Sequence, residues 1–122
     1  VKGGQVGDGL LLVRSSGRFL VVTPERSGFG NQTQTLSQAK LSDWSFVETK
    51  LSKFGDGVLL MTDGISDDLI PEQLESFFEA VFQQLQRTNK RRCKTWLTRE
   101  LVEWSTPLHG DDKSIAGIFR VE

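Results

Sequence analysis

Apolar residues fall in short runs along the first half of the chain. Leu10-Leu11-Leu12-Val13 and Phe19-Leu20-Val21-Val22 flank Ser15-Ser16-Gly17. Two apolar runs joined by a short Ser/Gly turn predict a β-hairpin. Neither run alternates with polar residues, so both faces of both strands are expected to be covered. Residues 24–43 carry Pro24, Gly28, Gly30 and Asn31 among Gln and Thr and keep no period, which predicts a long loop. Trp44 to Glu48 predicts a short strand with Trp44, Phe46 and Glu48 on one face. Gly55-Asp56-Gly57 signals a turn, and Val58-Leu59-Leu60-Met61 predicts a buried strand ending in Thr62-Asp63-Gly64. That places Asp63 at the strand's C-terminal end, with Gly64 free to take an unusual backbone conformation.

The period then changes. Leu74, Phe77, Phe78, Val81, Phe82 and Leu85 form a helical apolar stripe behind Pro71, which suits a first helical turn. Arg87 to Lys94 reads as a basic connector. A second helix is expected over Lys94 to Trp104, ended by Ser105-Thr106-Pro107. Ser114 to Val121 predicts a closing strand, partly buried on both faces. Strands, then a helical pair, then a strand suggest an α+β layered fold.

Composition adds limits. The chain has 122 residues, room for one domain, with 37% hydrophobic and 25% charged residues. This excludes a disordered or collagen-like chain and a membrane span. Net charge is −1, so no global basic bias points to nucleic acid. A single cysteine, Cys93, allows no internal disulfide and fits a reducing, cytoplasmic setting. The start, Val1-Lys2-Gly3-Gly4, has no initiator Met and no signal pattern, and reads as the middle of something longer.

One His, one Cys and no Tyr offer little for nucleophilic catalysis; the chemistry is carboxylate chemistry. Every charged residue from Asp56 through Asp63, Asp67, Asp68, Glu72 and Glu75 to Glu79 is acidic. The three glutamates read as a solvated helix face favoured by the helix dipole. Asp63 differs. A carboxylate directly after a buried run needs a helix N-terminus, an Arg or a metal, or it becomes neutral. Mg²⁺ and Mn²⁺ prefer such oxygen donors. A second cluster, Gly110-Asp111-Asp112-Lys113-Ser114, precedes the last strand. If the two strands run antiparallel in one sheet, Asp63 and Asp111 converge at one edge.

Asp56-Gly57-Val58-Leu59-Leu60-Met61-Thr62-Asp63-Gly64-Ile65-Ser66-Asp67, with the later Gly110-Asp111-Asp112-Lys113-Ser114-Ile115, resembles the C-terminal half of the type 2C, metal-dependent Ser/Thr protein phosphatases. Val6-Gly7-Asp8-Gly9 is similar to the family's Gly-Asp strand entry, and Phe29-Gly30-Asn31-Gln32-Thr33 resembles a loop of a bacterial branch. The resemblance spans about Gly4 to Val121. It implies that residues 1–122 are the C-terminal portion of one domain, a four-layer αββα sandwich of two stacked antiparallel sheets flanked by helix pairs, incomplete in this chain. It implies two or more Mn²⁺ or Mg²⁺ ions in the complete site. Asp63 and Asp111 match metal ligands, and Gly64, Asp112 and Ser114 match their supporting shell. It implies hydrolysis of phosphoserine or phosphothreonine on a protein substrate by a metal-bridging water. The bridging aspartate, its glycine and a phosphate-binding arginine belong to the missing N-terminal half, so no residue here is assigned to them and the chain alone is expected to be inactive.

Four further readings stand beside this one. The basic run Arg87, Lys90, Arg91, Arg92, Lys94 and Arg99 holds no acid and could contact a phosphorylated or anionic partner, making the chain a non-catalytic phosphatase-like regulatory or binding module; a solvated connector is the plainer account. His109 reads as an exposed loop residue rather than a general acid. Cys93 reads as a spacer that the neighbouring cations would make reactive if it were exposed. Trp44, Trp96 and Trp104 read as core or sheet-covering residues. Neither a nucleic acid nor a membrane is expected as partner.

Overall fold

The computed structural model of the chain describes residues 1–22, 44–103 and 112–122. Six strands are present: β1 Lys2–Gln5, β2 Leu10–Ser15, β3 Arg18–Val21, β4 Ser45–Glu48, β5 Gly57–Met61 and β6 Ile115–Phe119. The helices are α1 Asp63–Ser66, α2 Leu74–Arg87 behind a 3₁₀ turn at Pro71–Gln73, and α3 Lys90–Glu103. Strands β3, β2, β5 and β6 form one antiparallel sheet in that order, and β1 pairs antiparallel with β4 in a second. The fold is α+β with two antiparallel sheets. Among the described residues, no helix is long and apolar enough to cross a membrane.

The predicted hairpin is β2–β3. Ser16 and Gly17 both take positive φ, at 52° and 81°, as a two-residue turn matched to strand twist requires. The predicted stripe on α2 is also present: Leu74, Phe78, Val81 and Phe82 are buried. Leu74, Phe78 and Val81 pack with Leu12, Leu59, Met61 and Ile65 on one face of the four-stranded sheet. The opposite face packs Leu11, Val13 and Val58 against Val47 of β4 and Leu51. The chain thus stacks helices, a four-stranded sheet and a two-stranded ribbon, three layers in all. Burying a side chain such as Phe78 or Leu59 contributes about 1.5–3 kcal/mol.

Several expectations are corrected. Strand β1 has no apolar pattern of its own. It is ordered by pairing with β4, where a side chain at Gly4 would press on Phe46 and Trp44 at 3.2 Å each. Those two rings stack 5.8 Å apart on the face predicted for them. Strands β3 and β6 are not covered on both faces: Leu20, Ala116 and Ile118 are exposed, because both strands are sheet edges and the ribbon covers only part of that face. Residues Arg87 to Lys94 are not a connector. Helix α3 begins at Lys90, because the Asn89 side chain accepts the Arg92 N–H at 2.9 Å and caps the first turn. The predicted loop at 24–43, its Phe29–Thr33 motif, Trp104, the stop at Ser105–Pro107 and His109 lie outside the described residues.

Candidate active-site edge

Strand β5 runs antiparallel between β2 and β6, with Met61 opposite Leu10 on one side and Ile115 on the other. The segment after β5 and the segment before β6 therefore meet at one end of the sheet. Thr62 joins them. Its N–H donates to the Ser114 carbonyl at 3.0 Å, and its Oγ1 accepts the Ser114 N–H at 3.0 Å. The Thr62 hydroxyl donates to the Asp112 carbonyl at 3.2 Å. Ser114 and Asp112 thus reach this edge through their backbones, with Lys113 between them, beside the Thr62-Asp63-Gly64 segment.

Asp63 is the first residue of α1, two positions past the end of β5, just after the strand's C-terminal end as expected. Thr62 precedes it in an extended conformation and accepts the N–H groups of Ile65 and Ser66 on its carbonyl. A carboxylate at that position faces the favourable end of a short helix, and no ion pair to Asp63 exists among the described residues. Gly64 is helical and buried and does not use the unusual backbone conformation open to a glycine. What it gives instead is a position without side-chain bulk inside α1, next to the fully buried Ile65. Asp111 lies outside the described residues.

A groove of about 460 Å³ opens at this end and is bordered by Asp8, Gly9, Thr62, Asp63, Ser114 and Ala116, among others. Asp8 is the residue that sequence reasoning missed. It stands two residues before the apolar run of β2, in the turn where Gly7 has a φ of 92°. The signal was available: Asp8 flanks a buried strand as Asp63 does, and β2 is the antiparallel neighbour of β5. The donors are of the right chemistry for a hard divalent cation, which binds through one or two carboxylates and keeps several waters. Among the described residues, no three His, Cys, Asp or Glu side chains are grouped closely enough to hold an ion by themselves.

Two other acids, Asp56 and Glu79, have structural roles. Asp56 is fully buried and accepts four backbone N–H groups: Ser16 at 2.7 Å, Gly17 at 3.0 Å, Ser52 at 3.0 Å and Lys53 at 2.9 Å. Burial alone would raise its pKa, but the four donors outweigh it and the carboxyl is held below its ordinary value. Glu79 is not merely solvated. It accepts from Gln83 at 2.7 Å and pairs with Arg14 at 2.6 Å. The Gln83 hydrogen bond first, and then Arg14 against some desolvation, keep its pKa low. Arg14 also lies over the Phe78 ring, 4.9 Å from its centre. Cys93 is buried within α3, and burial pushes its thiol pKa up, against the reactive state the nearby cations suggested.

A family model described as protein phosphatase 2C matches residues 1–104. The chain belongs to the protein phosphatase 2C family. The match includes Asp8 and Asp63 and stops before the Gly110–Ile115 motif. No curated protein and no solved structure matches the chain.

Proposed function

We propose that this chain supplies one edge of a metal-dependent phosphoprotein phosphatase centre of the 2C type, with Asp63 and Asp111 as metal ligands and Asp8 beside them. The observation that carries this reading is the Thr62–Ser114 pairing, which brings the Thr62-Asp63-Gly64 and Asp112-Lys113-Ser114 segments to one end of a sheet. Membership in the family supports hydrolysis and a phosphorylated protein as the substrate.

Bound Mn²⁺ or Mg²⁺ would supply an acidified water and neutralise charge on the phosphoryl oxygens. The chain's own residues do the positioning. Asp63 offers carboxylate oxygens at the groove, held there by the start of α1. Thr62 ties the Asp63 turn to the backbone of Asp112 and Ser114, so the two acidic segments keep a fixed separation. Gly64 and Ser114 are supporting residues in this reading, as is Asp112, whose backbone carbonyl serves the link.

The bridging aspartate, its glycine and the phosphate-binding arginine have no match in this chain, and a preceding N-terminal half of the same domain is the partner that would bring them. The test is direct binding of Mn²⁺ to the chain, followed by isothermal titration calorimetry. Asp63→Asn is expected to weaken binding at least tenfold without lowering the melting temperature. Unchanged binding in that variant would remove Asp63 from the site. By itself the chain is expected to release phosphate from p-nitrophenyl phosphate with Mn²⁺ no faster than Asp63→Asn does.

A further inference from the structure

Helix α3 carries Lys90, Arg91, Arg92, Lys94 and Arg99, and Arg87 ends α2 just before it. No acid occurs between Glu79 and Glu100. Among the described residues the ion pairs are Lys2–Glu48 and Arg14–Glu79, so none of these six cations is neutralised by a neighbour. Four of them occupy the first five residues of the helix, where the backbone dipole already contributes positive potential. That arrangement costs stability, since acids are the favoured residues there. A concentrated positive field is what remains to offset it when an anion arrives.

The surface is also shaped. A groove of about 640 Å³ lies where the end of α2 meets α3, bordered by Gln84, Asn89, Arg91, Arg92, Trp96 and Arg99, among others. Arg92, Trp96 and Arg99 recur at helical spacing and share one face. Trp96 is half-buried and borders the groove. Arginine outnumbers lysine at the rim, and its planar fork matches phosphate oxygens in pairs where lysine acts as a point charge. The groove has the volume of a pocket for one side-chain-sized group with its neighbours. A basic surface confined to one helix is short for a nucleic-acid strand, and the chain's net charge of −1 opposes a polyanion elsewhere.

We infer that this face of α3 is a docking site for a phosphorylated polypeptide segment, with the phosphate held among Arg91, Arg92 and Arg99 and the flanking residues against Trp96. The choice of a phosphorylated polypeptide rests on the phosphoprotein reading above; the site itself shares no bordering residue with the Asp63 groove. The test is fluorescence polarisation of a labelled phosphoserine peptide and its unphosphorylated twin, titrated with the full chain without added metal. Single-stranded DNA and phosphatidylserine vesicles serve as competing anions. The phosphopeptide is expected to bind more tightly than the twin and than either competitor. Arg92→Glu/Arg99→Glu is expected to weaken it by at least tenfold, and the milder Arg92→Gln/Arg99→Gln to do so by less, with circular dichroism unchanged in both. Asp63→Asn is expected to leave it unaltered, which separates this site from the hydrolytic reading. Equal binding of the twin, tighter binding of DNA or vesicles, or undiminished binding by both folded variants would overturn the inference.

Discussion

Thr62 and Ser114 hold each other across the end of the β5–β6 ladder. Each donates its N–H to the other, Thr62 to a carbonyl and Ser114 to a hydroxyl, both at 3.0 Å. The hydroxyl half of this link is replaceable without changing side-chain shape. Thr62→Val should lower stability by about 1 kcal/mol, since the Ser114 N–H loses its acceptor at an exposed site. It should also weaken Mn²⁺ binding although residue 62 carries no charge. Urea denaturation and calorimetry with Mn²⁺ check the two effects separately.

Asp56 should matter to folding and not to metal binding. Its carboxylate joins the β2–β3 turn to the 52–53 segment through four N–H groups. Asp56→Asn turns one acceptor oxygen into a donor facing donors, at an expected cost of about 2–4 kcal/mol in urea denaturation at pH 7. The folded carboxyl has a pKa below its ordinary 3.8. Its stabilisation is therefore fully present above pH 3.8 and is lost as pH falls below that value through the lower folded pKa. The stability difference between wild type and Asp56→Asn should be constant near neutrality and shrink below pH 3.8.

Arg14 reaches two elements at once, pairing with Glu79 and covering Phe78. Its side chain is only 15% exposed, against 41% for Glu79. Truncation should thus cost more on the arginine side. Arg14→Ala is expected to lose about 1–3 kcal/mol, and Glu79→Gln less than about 1 kcal/mol. Equal losses in chemical denaturation would mean that the ion pair, and not the packing of the arginine, carries the contribution.

Gly57 stands opposite Phe119 in the β5–β6 register. A Cβ there would lie 2.6 Å from both the Ile118 carbonyl oxygen and the Phe119 ring. Gly57→Ala should force β6 to shift and cost about 1–3 kcal/mol, read as a lower midpoint in urea.

What was legible in the sequence was local. The α2 stripe, the Ser16-Gly17 hairpin and the buried β5 run each announce themselves through spacing within one element. Strand β1 did not, because Gly3 and Gly4 carry no pattern and their order comes from β4, more than forty residues away. Helix α3 was placed four residues late because cations masked a start that depends on one Asn89 hydrogen bond. Asp56 read as an ordinary turn residue since its donors at positions 16 and 17 are distant in the chain. At the site, the meeting of the Asp63 and Ser114 segments was legible as a consequence of antiparallel neighbours. Asp8 carries the same local signal, a carboxylate flanking a buried strand, but its place at the same edge depends on β2 pairing with β5, which spacing within one element does not give.

The central claim is that the edge bordered by Asp8, Asp63 and Ser114 takes a divalent cation through Asp63. Mn²⁺ added in small amounts to ¹⁵N-labelled chain, followed by amide line broadening, tests it most directly. Broadening should be strongest at Asp8, Thr62, Asp63 and Ser114, weak at the exposed Glu72 and Glu75, and abolished at the edge by Asp63→Asn. Broadening no greater at the edge than at Glu72 and Glu75, or undiminished in Asp63→Asn, would contradict it.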